Sequence, residues 1–220
     1  MKNEENNLQR CLDSILLSAG TNVDVHVFDD CSTDRTAEIL QEYADRHDNI
    51  HAHKGFGKGP AIIRNYFLEE VTNPYIIFVD GDIEVQSNWY QEIERSISKM
   101  SDTIVAIGGA QKIPHISKGL EKFHGALLES FSFLSDHIQQ ASDFVEVKHN
   151  PLCNVIYKTQ PLKDVQGFDE HLFPGEDLDM DIRLYRNGYK FLYNPEMVVY
   201  HHRPDTIKEF QTMLIKYGKT

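Results

Sequence analysis

A chain of 220 residues with 40% apolar content can bury the core of one large α/β domain, and its net charge of -12 argues against a nucleic-acid groove, which needs a basic stripe against the phosphates. Cys11, Cys31 and Cys153 are few and scattered, which argues against a disulfide framework or a clustered thiolate zinc site and makes the reducing cytoplasm the default compartment. No apolar run reaches membrane-spanning length and no signal peptide opens the chain, while a peripheral position at the inner face of a membrane stays open.

In chain order, Leu8, Leu12, Ile15 and Leu16 stripe a first helix. A strand over 23–28 follows and ends in the carboxylate pair Asp29-Asp30. The next residues, Cys31 to Thr36, supply side chains that accept from free N–H groups at a helix start, and Ala37, Leu40, Tyr43 and Ala44 then repeat at helical spacing over 34–46. A short strand at 51–53 leads to Gly55-Phe56-Gly57-Lys58-Gly59-Pro60 and a helix carrying Ile62, Ile63, Tyr66 and Phe67. Small residues in that loop let backbone approach a ligand while Arg64 offers planar donors; local sequence fits a phosphate site and a flexible loop with solvated Lys54, Lys58 and Arg64 equally. Position decides for the phosphate site, because right-handed connections start this helix on the same sheet edge as Asp29-Asp30 and Asp80-Gly81-Asp82. It is neither a Walker loop nor a Gly-x-Gly-x-x-Gly fingerprint.

The run Tyr75 to Val79 is apolar throughout and ends in Asp80-Gly81-Asp82. A strand buried on both faces reads this way, and ligands of open sheets sit beyond such strand ends. Two carboxylates there can share a hard divalent cation, although Asp-x-Asp is also ordinary turn chemistry. A helix over about 87–99, the apolar segment Thr103 to Ile107 and a helix over 118–138 with Leu120, Phe123, Leu127, Leu128, Phe131 and Leu134 on its apolar face come next. Gly175-Glu176-Asp177-Leu178-Asp179-Met180-Asp181 opens a later helix with Leu178, Ile182 and Tyr185 as the expected buried stripe and Asn187-Gly188 as its end. Acids in a first turn complement the helix dipole, which accounts for Glu176 and Asp179. Asp177 and Asp181 stand four apart on one face, where like charges repel unless a cation, Arg183 or a protonation relieves them. Ile207, Phe210, Leu214 and Tyr217 mark a last amphipathic helix. Strands alternating with helices predict a mostly parallel sheet covered on both faces.

These motifs resemble the inverting GT-A-fold glycosyltransferases of the large family 2, which use nucleotide-diphosphate sugars. Phe28-Asp29-Asp30-Cys31-Ser32-Thr33-Asp34 is similar to that family's V-D-D-G-S-T-D, with Cys31 in place of glycine. Gly59 to Asn65 resembles its G-x-x-x-A-R-N, Asp80-Gly81-Asp82 its Asp-x-Asp, Gly175-Glu176-Asp177 its Glu-Asp and Val199-Tyr200-His201 its late V-x-H. The resemblance implies a Rossmann-like sheet flanked by helices in a single catalytic domain, residues 1–110 binding the nucleotide sugar and 111–220 the acceptor. It implies nucleotide contacts from Asp29, Asp30, Lys58, Arg64 and Asp80, with Asp30 reading uracil. Asp80, Asp82 and His201 would hold Mn²⁺ or Mg²⁺, Asp177 would be the general base, and Glu176, Asp181 and His202 would support the acceptor side. For His201 and His202 a purely hydrogen-bonded structural role is the alternative.

The implied reaction moves a sugar to a hydroxyl of a glycan or lipid-linked acceptor in polysaccharide, glycolipid or glycoprotein synthesis. Lys112, His115, Lys118 and His149 are the polar residues of the expected acceptor region, 112–155. Rival readings are a nucleotidyltransferase on a related sheet and a non-catalytic nucleotide- or glycan-binding module; no Gly-x-Ser-x-Gly elbow supports a hydrolase. The departure from the family lies at the front, where Met1-Lys2-Asn3-Glu4-Glu5 matches the turn that follows the first strand while that strand is absent. The expectation is two exposed sheet edges that invite pairing with another chain, a homodimer included, and tighter nucleotide binding once the chain is extended. Native chain beyond Thr220 is also expected.

Overall fold

The computed structural model describes residues 1–114, 117, 119–130 and 141–217. The elements in order are α1 Leu8–Ala19, β1 Val25–Asp29, α2 Thr36–Ala44, β2 Ile50–Lys54, α3 Pro60–Glu70, β3 Tyr75–Val79, β4 Ile83–Val85, α4 Trp89–Ile97, β5 Ile104–Lys112, α5 Gly119–Ser130, β6 Val145–Val147, β7 Asn154–Lys158, α6 Thr159–Asp164, α7 Glu176–Arg186, β8 Lys190–His201 and α8 Ile207–Tyr217. Apart from β4, which follows β3 with no helix between them, the first half follows the expected strand–helix alternation. The later strands β7 and β8, together with α6, were not anticipated as elements.

A six-stranded sheet forms the centre, in the order β3-β7-β5-β8-β4 with β6 also on β8. Helices cover it, as expected of an α/β fold, but its strand senses are mixed. Only β5 and β8 run parallel within it; β7 lies antiparallel between β3 and β5, and β4 and β6 pair antiparallel with β8. The expectation of mostly parallel pairing is therefore corrected. It rested on the βαβ pattern of the first half, and the strands that fill the sheet come from the second.

β1 and β2 make a separate parallel pair. Among the described residues no strand lies between β1 and β3, so the expected gap is present. Met1 marks its end: its ammonium donates to Phe28 O at 2.8 Å and its carbonyl accepts from Asp30 N at 2.8 Å, the two bonds of a parallel bridge to Asp29. Above this step a cavity of about 2040 Å³ opens, lined by Val25 and Val27 from β1, Ile77 and Val79 from β3, Ile15 and Trp89 on one side and Ile63 and Phe67 on the other. It continues to the carboxylate rim described below.

Two helices bury faces other than the predicted ones. In α7 the inward residues are Glu176, Met180, Asp181 and Leu184, whereas Leu178, Ile182 and Tyr185 are exposed. The helix is turned so that Met180 and Leu184 enter the main core, while Arg183 donates to the carbonyls of Val165 and Gly167. In α5, Phe123 and Leu120 are exposed and His124 is buried, stacked on Phe210 of α8 at 3.7 Å between ring centroids. The Leu128 side chain, Phe131 and Leu134 of the expected stripe lie outside the described residues, as do His115, Lys118 and the segment 218–220.

Candidate active site

Three elements bring one donor set together. β3 is a five-residue apolar strand with no polar side chain to stop it, so its first carboxylate emerges at the sheet rim. Gly81 then turns the chain where a Cβ would fall 2.7 Å from Met1 Cε. β4 pairs Ile83 with His201, and His202 N–H donates to Asp82 O at 2.9 Å, which holds the Asp82 turn against the end of β8. Ligand atoms of Asp80, Asp82 and His201 lie within 4.8 Å of one another, and His201 Nε2 is 3.1 Å from Asp82 Oδ1.

The charges at this rim are set unequally. Burial, and then the Asp82 charge, push the Asp80 carboxyl above its ordinary value. Burial also acts upward on Asp82, but His201 and Arg203 outweigh it and hold that carboxyl low. Two oxygens and one imidazole nitrogen form a set that suits a divalent cation such as Mn²⁺, and a cation bound there would displace the proton that burial favours on Asp80. Gln111 and Arg203 join the cluster without having been anticipated: Arg203 Nη1 is 3.4 Å from His201 Nε2, and Gln111 Oε1 lies 3.3 Å from both His201 Nδ1 and Arg203 Nη2. Arg203 follows His201 by the two-residue step that keeps side chains on one side of extended chain, the one signal that could have found it. His202 instead faces Glu121 at 3.1 Å and Glu84 at 3.7 Å, tying α5 to β4.

At the end of β1, Asp29 is buried and accepts from Ser32 N–H at 3.2 Å. Asp30 accepts from Gly57 N–H at 2.5 Å and Gly59 N–H at 3.1 Å, so its two oxygens brace the glycine loop. Gly59 sits at φ 98°, open to glycine and strained for other residues, which lets α3 start at Pro60. Lys58 is exposed on this loop. Arg64, one turn into α3, donates to Glu176 Oε1 at 2.6 Å with its guanidinium over the Phe168 ring, joining the first half of the chain to the start of α7.

Asp177 follows Glu176 and lines the same cavity as Asp30, Arg64, Asp80 and His201. Its Oδ1 accepts from Leu178 N–H at 2.8 Å. Asp181, one turn on, is fully buried, and burial pushes its carboxyl up. Tyr157 OH donates to it at 2.7 Å and Asn150 N–H at 3.1 Å, while His149 Nδ1 lies 2.8 Å away. Arg183, which the sequence offered as the relief of the Asp177–Asp181 pair, binds Asp179 at 2.8 Å instead. His149 stands between the two acids.

Residues 1–166 match the family model described as Glycosyl transferase family 2. The Pre-mycofactocin glycosyltransferase of Mycobacterium tuberculosis is 24% identical over 178 residues, covering 80% of this chain and 37% of its own length. Among solved structures, the mannosyltransferase PcManGT from Pyrobaculum calidifontis, in complex with GDP-Man and Mn²⁺, superposes with a TM-score of 0.73 at 17% identity, covering 100% of this chain and 59% of its own. S. aureus TarS with UDP-GlcNAc gives 0.72 at 19% identity, covering 96% and 59%. The chain thus spans little more than a third of the mycobacterial relative.

Proposed function

The chain belongs to glycosyl transferase family 2, and on that premise we propose that it transfers a sugar from a nucleotide-diphosphate donor to an acceptor hydroxyl with inversion at the anomeric carbon. The observation that carries the reading is that Asp80 and His201, at strand ends, and Asp177, at the start of α7, line one cavity. A divalent cation held by Asp80, Asp82 and His201 would supply counter-charge to the departing diphosphate.

The chain's own residues divide the remaining work. Arg64 and Arg203 are the permanent cations beside the rim and suit the diphosphate. Asp30 and the Gly57–Gly59 amides it braces form the floor on which a nucleoside sits; a UDP sugar is the first donor to test, since TarS is solved with UDP-GlcNAc, with GDP-Man second, from PcManGT. Asp177 receives the proton of the acceptor hydroxyl while the oxygen bonds to the anomeric carbon and the carbon–phosphate oxygen bond breaks with its electron pair. Its place in a first helical turn suits a carboxylate, because amide dipoles favour negative charge there. Acceptors drawn from glycans or lipid-linked glycans fit a hydroxyl nucleophile of this kind, and among the described residues no helix is long and apolar enough to cross a membrane.

The test is a panel of nucleotide sugars with and without Mn²⁺, on wild type and Asp177→Asn. Loss of a general base should lower transfer by about 100-fold or more, with nucleotide affinity unchanged. Full turnover by Asp177→Asn would turn the reading toward a nucleotidyltransferase. Metal-dependent binding with neither transfer nor hydrolysis of any donor would leave a binding module.

A further inference from the structure

His149 has a place that nucleotide-sugar transfer alone does not require. Its backbone is fixed by its neighbours: Asn150 N–H bonds Asp181, Asn150 Nδ2 donates to Leu192 O at 3.0 Å, and Pro151 restricts the residue before it. Gly108 makes room for that anchor, since a Cβ there would lie 2.2 Å from Asn150 Oδ1. With Tyr157 on one oxygen of Asp181 and Asn150 N–H and His149 Nδ1 on the other, the imidazole is clamped edge-on. Its other nitrogen, Nε2, then lies 3.9 Å from Asp177 Oδ2. His149 lines the cavity beside Asp177, while Asp181 and Tyr157 are buried behind it.

We propose that His149 is a positioning residue for the base Asp177, an imidazolium that Asp181, Tyr157 and Asn150 hold in place so that its Nε2 stands at ion-pair distance from Asp177 Oδ2 while Leu178 N–H holds Oδ1. The inference rests on Asp177 being the base. It also explains how two carboxylates four residues apart on one face coexist: the cation that relieves them comes from another segment, close to both. Burial pulls the imidazole down, and Asp181 with Asp177 more than reverse this and hold it above its ordinary value. Asp177 and Asp181 of α7 are the charged groups that set it, and Tyr157 of β7 reaches it through Asp181. The hydroxyl proton ends on Asp177; His149 gains and loses none during transfer.

The experiment measures kcat and donor KM against pH for wild type and His149→Gln, whose amide keeps a donor but cannot titrate. Wild-type kcat should fall on the alkaline side as the imidazolium is lost. His149→Gln should lower kcat about tenfold with donor KM unchanged, and its alkaline limb should vanish. An unchanged kcat with the alkaline limb intact overturns the proposal. Should that variant fold poorly, NMR titration of the His149 ring in wild type and Asp177→Asn decides: a ring pKa that falls on neutralising Asp177 supports the contact, and one that stays put refutes it. The ring titration does not depend on turnover, so a chain that transfers no sugar would sink the functional reading while this contact is judged separately.

Discussion

The Arg64–Glu176 pair is the sharpest test of how α3 is held against α7. The contact is 2.6 Å, with the Glu176 side chain 7% exposed and that of Arg64 19%. Glu176→Gln removes the charge and leaves the guanidinium on Phe168 without its counter-ion. Breaking a fully buried pair costs about 3–5 kcal/mol. Arg64 keeps some water contact, so about 2–3 kcal/mol is the expected loss, a fall in Tm of about 4–12 °C for a chain of this size. Arg64→Met should cost slightly less, because the orphaned Glu176 still sits in the first turn of α7, where the dipole returns about 0.3–1 kcal/mol. The double variant strands neither charge and should lose only about 1 kcal/mol relative to wild type. Urea unfolding of all four proteins, read as a double-mutant cycle, should therefore give a coupling energy of at least about 2 kcal/mol. Single costs that simply add would show that the pair does not hold α3 against α7.

The remaining tests address the rim and the gap. Mn²⁺ should raise the Tm of wild type and leave Asp82→Asn unmoved. Because the Asp80 carboxyl is pushed up, its contribution to stability without metal is greatest below the ordinary carboxylate value near 3.8 and is lost as pH rises through its raised value. Mn²⁺ must displace that proton, so calorimetry should show affinity weakening as pH falls through the same range, and a pH-independent affinity would remove Asp80 from the donor set. A Val/Ile-rich extension of five residues before Met1 should pair with β1 and β3, end the burial of an ammonium whose pKa desolvation lowers, and raise stability by about 3–5 kcal/mol at about 1 kcal/mol per new hydrogen bond; an unchanged Tm would mean that the gap takes no strand. Gly55→Ala sets a Cβ 2.8 Å from Asp30 Oδ1 and 2.9 Å from Asp30 Cα. It should weaken nucleotide binding about tenfold at intact secondary structure, about 1.4 kcal/mol, and unchanged affinity would show that the bracing of the loop by Asp30 is not used.

What was legible in the sequence was local. β1, β3 and the carboxylates after them could be read because apolar strands end abruptly in Asp, and α1 because Leu8, Leu12 and Ile15 keep a clean period. What was not legible depended on distant packing. The stripe of α7 was misread because Leu178, Ile182 and Tyr185 have the right period, yet Asp181 and Glu176 take the inner face, where Tyr157 and Arg64 wait for them. No rule of periodicity places a carboxylate inward when its partners lie far off in the chain. Gln111 was missed as a site residue, and His149 was named only as a polar residue of the expected acceptor region, for the same reason, since their meaning comes from contacts with the end of β8 and with α7.

The distribution of counter-charges explains why one rim of so acidic a chain can serve an anionic donor. Glu176 pairs with Arg64, while Asp82 faces the His201 imidazole and Asp181 the His149 imidazole. Asp80 has no ion-pair partner among the described residues, and burial with Asp82 pushes its carboxyl up. Two like charges 4 Å apart repel by about 4 kcal/mol at the effective dielectric of a protein surface. A diphosphate arriving beside an ionised Asp80 would meet that repulsion, and a divalent cation reverses its sign. On the proposed reading the acceptor meets Asp177 beside His149, whose imidazole is held above its ordinary value by Asp181 and Asp177 against its burial, and a neutral hydroxyl brings no charge to balance. Metal dependence should therefore fall on donor binding, and acceptor affinity should be the same with and without Mn²⁺.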